Sequence, residues 1–240
     1  MTKVLFREDA YLQKCTATVM AINDAGGVIL DRTVFYPTGG GQPGDAGVLT
    51  WEGGEMQVAT AGKGEAVDEV VHVPAEDAVV PSVGATVVAK LDWARRYRHM
   101  RVHTGLHLLS VVIPLPVTGG QISADKGRLD FDMPEAPDDK DAIERALKAL
   151  IDGNHPVSDE WITDAELAAK PEMVKTMAVK PPMGQGRVRL VRIGGDPDAP
   201  VDLQPCGGTH VRLTSEIGTV RLGKIEKKGK QNRRVSILID

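Results

Sequence analysis

Asp92-Trp-Ala-Arg-Arg-Tyr-Arg-His-Met-Arg-Val-His-Thr-Gly-Leu-His-Leu-Leu-Ser-Val-Val-Ile113 is the stretch on which the reading of this 240-residue chain turns. Val102, Leu106, Leu109 and Ile113 recur at helical spacing, Asp92 can cap the start, and Pro114 ends the run. Residues four apart on a helix point the same way. His103 and His107 are therefore expected on one face, with the aliphatic stripe anchoring the other. His99, four residues before His103, is either a third ligand to a metal or a partner of one; it reads as solvent-facing or hydrogen-bonded.

Upstream of this helix the chain reads as short strands between turns: Lys14 to Ile22, Gly27 to Phe35, Gln57 to Thr60, Val67 to Val73 and Ala85 to Leu91. Short, closely spaced strands with glycine turns predict a small β-barrel over residues 1–91. Downstream, helices at Asp138 to Asp152 and Asp164 to Lys170 mix with alternating strands at Arg187 to Ile193 and Arg234 to Ile239. That mixture predicts an α+β domain over residues 92–240 rather than a regular βαβ series.

A second histidine motif, Cys206-Gly-Gly-Thr-His210, follows the strand-like Val201-Asp202-Leu203. Its two glycines are expected to let the backbone fold tightly enough for sulfur and imidazole to converge. A helix presenting two nitrogens and a turn presenting sulfur and nitrogen make a donor set suited to tetrahedral zinc. Each half-motif alone is weak, because His-x-x-x-His also occurs as an ordinary polar helix face. His72 and His155 lack a partner motif and read as structural.

With 42% hydrophobic and 26% charged residues, the chain can bury a substantial core. No apolar run reaches the length needed to cross a bilayer, and the start lacks a signal-peptide pattern, so the cytoplasm is expected. Two cysteines, one of them in the metal motif, cannot make a disulfide framework. Cys15 reads as a small buried residue. A net charge of −4 argues against a generic nucleic-acid coat. Local clusters differ from the mean: Arg95, Arg96, Arg98 and Arg101 lie in the histidine helix, and Lys224, Lys227, Lys228, Lys230, Arg233 and Arg234 lie near the C-terminus. Charge runs are usually solvated faces, but two flanking a metal motif suit a polyanion.

Tyr36-Pro-Thr-Gly-Gly-Gly-Gln-Pro-Gly-Asp45 is costly to order, so it marks a sharp turn or a close approach to a partner. It lacks the spacing of phosphate-binding loops. Thr118-Gly-Gly-Gln-Ile-Ser123 is a second polar, glycine-containing segment that follows the helix closely enough to line the same pocket.

The ordered set of Phe35-Tyr-Pro-Thr-Gly-Gly-Gly-Gln-Pro-Gly-Asp45, His103-Thr-Gly-Leu-His107, Arg128-Leu-Asp-Phe-Asp132, Cys206-Gly-Gly-Thr-His210 and Lys224-Ile-Glu-Lys-Lys-Gly-Lys-Gln-Asn-Arg-Arg234 spans nearly the whole chain. It resembles the AlaX family of freestanding alanyl-tRNA editing proteins, in the medium-size class, which is similar to the editing domain of alanyl-tRNA synthetase. The resemblance implies His103, His107, Cys206 and His210 as ligands of one Zn2+ per chain. It also implies ATP-independent hydrolysis, in trans, of the ester joining a wrong amino acid to the 3′ end of alanine tRNA, chiefly serine and in some members glycine. Zinc can lower the pKa of water or polarise a carbonyl for such a reaction, although four protein ligands already complete a tetrahedron while hydrolytic zinc usually keeps an open position.

A pocket that hydrogen-bonds the serine hydroxyl can discriminate against alanine. Thr104, Thr118, Gln121, Ser123 and Gln42 are candidates for that contact, with Gly40 and Gly41 beside Gln42 in the glycine loop. The C-terminal basic cluster is the expected contact for acceptor-stem phosphates. Two rivals stand: editing of another mischarged tRNA, as in the threonyl system, and a zinc-stabilised tRNA-binding module without turnover.

Overall fold

The computed structural model describes residues 2–176 and 186–240 and divides the chain into two compact units, Met1–Tyr97 and Arg98–Asp240. The sequence placed the division after residue 91. The first unit carries β1 (Lys3–Val4), β2 (Lys14–Ile22), β3 (Val28–Leu30), β4 (Arg32–Thr33), β5 (Gly47–Trp51), β6 (Gly54–Lys63), β7 (Val70–Pro74) and β8 (Thr86–Leu91). Six of these close into a barrel in the order β2-β3-β7-β6-β5-β8. The alternation Thr86-Val-Val-Ala-Lys-Leu91 sends Val87, Ala89 and Leu91 inward to meet Val19, Leu30, Leu49, Met56 and Val70, all buried. Such side chains contribute roughly 1.5–3 kcal/mol each when fully buried. The expected strand from Gly27 to Phe35 is two short pieces, β3 and β4, and β5 had no counterpart in the expectation.

Three consecutive glycines make a tight turn. Gly39 and Gln42 exchange backbone hydrogen bonds at 3.1 and 3.0 Å, while Gly40 and Gly41 between them take φ of 58° and 81°. Positive φ at both central residues is what a two-residue hairpin loop of this hand requires, and glycine supplies it without steric cost. The loop's far end is fixed by Asp45. Its carboxylate accepts from the Tyr36 backbone N–H and from the guanidinium of Arg96, both side chains being fully buried.

α1 (Trp93–Val112) begins in the first unit and continues through the second. Asp92 caps it by accepting from Arg95 N at 3.1 Å. The second unit continues with β9 (Val117–Ile122), β10 (Lys126–Asp132), α2 (Lys140–Asp152), β11 (Val157–Thr163), α3 (Asp164–Ala168), β12 (Arg187–Ile193), β13 (Asp202–Pro205), β14 (Val220–Lys228) and β15 (Asn232–Ile239). They form two antiparallel sheets, β14-β15-β10-β9 and β11-β12-β13. α1 lies close on the four-stranded sheet. A Cβ on Gly127 of β10 would stand 2.6 Å from Val102 and 2.9 Å from Leu106, so glycine there permits the approach.

The aliphatic stripe Val102, Leu106, Leu109 and Ile113 is buried, as its spacing requires. The opposite, histidine-bearing face is buried as well, for His99, His103, Thr104 and His107 are all under 9% exposed. His99, expected as solvent-facing or hydrogen-bonded, is thus not at the surface. The segment from Thr118 to Ile122, read from sequence as a loop, is part of β9. Its glycines pair in register with β10, Gly119 opposite Asp130 and Gly120 opposite Leu129.

Candidate metal centre

Two turns of α1 and the segment leaving β13 bring His103, His107, Cys206 and His210 together, with one donor atom of each within 4.8 Å of all the others. Cys206 Sγ lies 3.5 Å from His103 Nε2 and 3.3 Å from His210 Nε2. A tetrahedral zinc with ordinary Zn–N and Zn–S bonds separates its ligand atoms by roughly 3.5 Å. The three imidazole rings face one another with centroids 4.3 to 5.3 Å apart.

The ring nitrogens of His107 and His210 that turn away from the cluster are engaged. His107 donates from Nδ1 to Asp202 Oδ2 at 2.9 Å. Asp202 also accepts from Lys175 Nζ at 2.6 Å and Gln204 Nε2 at 2.7 Å. His210 Nδ1 meets Thr104 Oγ1 at 3.1 Å, and that hydroxyl donates to Met100 O at 2.9 Å. With its proton committed to a carbonyl, Thr104 accepts from His210, which places the His210 proton on Nδ1 and leaves Nε2 free as a donor. A carboxylate on one histidine and a hydroxyl on another fix tautomer and ring plane, which is how ligating imidazoles are prepared for a metal. The donor set and its supports fit zinc.

The electrostatics favour a thiolate and a neutral His210, while His107 carries a proton that a metal displaces on binding. Burial opposes charge on Cys206, yet His103 and His210 outweigh it and hold the thiol well below its ordinary value, so sulfur is a thiolate. Burial pushes His210 well down, with the charge of His103 adding to it. Burial also disfavours the His107 cation, but its bonds to Asp202 and Cys206 prevail and raise it to about 9. Asp202 is held at about 2 against its own burial, chiefly by the His107 hydrogen bond.

Neither Gly207 nor Gly208 takes positive φ, contrary to the expectation of a tight glycine turn, and a Cβ on Gly207 would meet nothing within 4 Å. The convergence of sulfur and imidazole comes instead from hydrogen bonds of the segment to strand β12. Arg189 on that strand donates to Cys206 O and Gly208 O. The sequence reading missed Arg189, Asp202 and Lys175. Only the alternation of β12, which puts Arg189 on the same face as Val191 and Ile193, hinted that a cation there lies inside.

The remaining nominated residues are placed as follows. Thr104 is fully buried beside His210. Thr118 donates to Asp130 O at 3.0 Å, Gln121 accepts from Arg128 Nε at 3.1 Å, and Ser123 donates to Lys126 O at 2.8 Å. Gly40, Gly41 and Gln42 belong to the first unit, with the glycines exposed and Gln42 buried. On the β14–β15 hairpin, Lys224, Lys227, Lys228 and Lys230 are exposed. Arg233 is buried and donates to Pro134 O. Arg234 pairs with Asp130 at 2.7 Å, an acid that Arg128 also engages. His72 and His155 stand outside the cluster. Cys15 is half-buried, packed against the barrel core rather than within it.

Residues 188–236 match the family model described as the threonyl and alanyl tRNA synthetase second additional domain, and residues 5–95 match that of class II (A) tRNA synthetases. The chain is 38% identical to the alanyl-tRNA editing protein AlaX-M of Methanosarcina acetivorans over 244 residues, 98% of each chain. It is 33% identical to AlaX-L of Pyrococcus horikoshii over 98% of this chain and 57% of that one. It is also 36% identical to the alanine–tRNA ligase of Pyrobaculum arsenaticum, of which it spans 25%. On the strength of the AlaX-M match, which runs nearly the length of both chains, the chain belongs to the family of alanyl-tRNA editing proteins.

Proposed function

We propose that this chain is a trans-acting hydrolase that clears mischarged alanine tRNA, chiefly seryl-tRNA and also glycyl-tRNA, at one zinc ion held by His103, His107, Cys206 and His210. The observation that carries the reading is the convergence of those four donors, two of them, His107 and His210, backed by a buried partner, in a member of the alanyl-tRNA editing family. Bound zinc supplies Lewis-acid polarisation of the ester carbonyl. The chain's residues aim the donors: the thiol is already a thiolate, and metal binding displaces the extra proton of His107. Asp202 keeps His107 oriented through Nδ1, and Thr104 does so for His210.

Thr104 is thereby assigned to ligand orientation, because its hydroxyl is saturated by Met100 O, His210 Nδ1 and Val211 N. The serine hydroxyl falls to the polar side chains Thr118, Gln121 and Ser123 around β9, or to Gln42 with Gly40 and Gly41 in the glycine loop. Phosphates of the acceptor end fall to the exposed lysines Lys224, Lys227, Lys228 and Lys230, with Arg233 and Arg234 shaping the hairpin that presents them. No helix among the described residues is long and apolar enough to cross a membrane, and we place the activity in the cytoplasm, where tRNA is charged.

The experiment is incubation of the purified protein with seryl-, glycyl- and alanyl-tRNA for alanine and with seryl-tRNA for threonine. Release of serine from the alanine tRNA, lost together with bound zinc in His103→Ala and Cys206→Ala, is the expected result. Preference for the threonine tRNA would move the reading to that system. Zinc binding with no release from any substrate would leave a metal-stabilised RNA-binding module.

A further inference from the structure

A buried acid orients His107 and a hydroxyl orients His210, whereas the position of Cys206 is set through its backbone. Cys206 N donates to Arg189 O at 3.2 Å, which continues the β12–β13 pairing one residue beyond β13. The Arg189 guanidinium then closes on the segment from the side. One terminal nitrogen donates to Cys206 O at 2.9 Å and to Gly208 O at 2.8 Å. The other donates to Asp159 Oδ1 on β11 at 2.7 Å. The arginine side chain is only 7% exposed.

From these contacts we infer that Arg189 is a positioning residue for the metal-binding thiolate: it clasps the carbonyls on either side of Gly207 and so fixes Sγ before any ion arrives. The inference rests on the reading of the four-donor cluster as a metal site. Its physical basis is geometric. Gly207 and Gly208 have wide backbone freedom, so an unclasped segment would spread Sγ over many positions. Two hydrogen bonds from a charged donor to carbonyls two residues apart in that segment remove most of this freedom, and charge-assisted bonds are the stronger kind. With Gly208 held, its N–H reaches Cys206 Sγ at 3.4 Å. A hydrogen bond to a metal-binding sulfur tempers its charge and keeps it aimed. Arginine suits this because its planar fork serves carbonyls on one edge and a carboxylate on the other; lysine concentrates its donors at a single point.

The test compares zinc affinity, by competition with a chromophoric chelator, and the thiolate-to-cobalt charge-transfer band of cobalt-substituted protein, in wild type, Arg189→Lys, Arg189→Met and Arg192→Met. Arg192 lies on the same strand and pairs with Glu160 on the same neighbour, but its other bonds go to Asp196 and Pro197, away from Cys206. Both Arg189 variants are expected to lose about 10- to 100-fold in zinc affinity and to show a weakened or shifted sulfur band. Arg192→Met is expected to keep both at wild-type values. Should Arg189→Met fail to fold, Asp159→Asn loosens the anchor from outside, and a smaller loss of the same kind is expected. Wild-type affinity and an unchanged band in Arg189→Lys and Asp159→Asn would overturn the role of Arg189 while leaving the metal site standing. A wild-type protein that binds neither zinc nor cobalt would overturn the metal reading and this inference with it.

Discussion

His107 and Asp202 share a buried hydrogen bond of 2.9 Å, and the second oxygen of the same carboxylate holds Lys175 at 2.6 Å. The acid is 2% exposed. Removing its charge leaves His107 without the group that fixes its ring and leaves Lys175 facing a neutral amide. Asp202→Asn is expected to lower zinc affinity about 10- to 100-fold while the four ligands remain. Chelator competition reads the change. An unaltered affinity would show that packing alone orients His107.

The barrel contains a histidine that cannot accept a proton cheaply. His72 is fully buried, with Nδ1 donating to Val28 O at 2.9 Å and Nε2 accepting from Thr33 Oγ1 at 2.8 Å. Burial pushes its pKa down to about 4, partly offset by the Val28 bond. Above pH 6.5 the ring is neutral in both folded and unfolded chains and adds no pH dependence. Between 6.5 and 4 the unfolded chain binds a proton that the folded chain refuses, so stability falls as pH falls, by about 3 kcal/mol across the window. Urea unfolding of wild type and His72→Gln at pH 7, 6, 5 and 4 should show a slope in this range that the variant lacks. Parallel curves would place the acid sensitivity elsewhere.

Arg96 and Asp45 form a fully buried ion pair that also satisfies the carbonyls of Ala10 and Val34 and the N–H of Tyr36. A pair of this kind gives little net stability over an apolar substitute, yet breaking it strands a charge. Asp45→Ala is therefore expected to destabilise the protein by about 3–5 kcal/mol. The double variant Arg96→Met with Asp45→Leu should recover part of that loss. Equilibrium denaturation of the three proteins tests the ordering, and a mild Asp45→Ala would mean that water reaches the guanidinium.

How much could be read beforehand depended on whether the signal was local. The Val102–Leu106–Leu109–Ile113 stripe and the alternation of Thr86 to Leu91 are periodic, and both elements form where their periods place them. The glycine loop was legible as a turn because glycine takes positive φ, as at Gly40 and Gly41, without steric cost. Val117 to Ile122 was not legible as a strand, since Thr118, Gly119, Gly120 and Gln121 have weak strand preference and the segment is held by its pairing with β10. The burial of His99 in α1 was not legible, because polarity normally means surface, and the segment leaving β13 that meets His103 and His107 comes from about a hundred positions away. The four donors could be named from half-motifs, whereas Arg189 and Asp202 act through bonds no spacing rule encodes.

The basic hairpin gives a prediction that separates presentation from contact. Lys227, Lys228 and Lys230 are exposed at the β14–β15 turn, whereas Arg233 is buried against Pro134 O and Arg234 is bound to Asp130. Phosphate contacts release counterions, so each lysine that touches RNA steepens the dependence of binding on salt, by about 0.9 in the logarithmic slope for a duplex stem. Replacing the three lysines with alanine is expected to weaken tRNA binding and to flatten that slope by two to three such steps, about 2 in all. Arg234→Ala should weaken binding through loss of hairpin order and lower the thermal transition, with a smaller change in slope. Binding titrations over a range of potassium chloride concentrations distinguish these outcomes, and a slope unchanged in the triple variant would move the RNA contact off this hairpin.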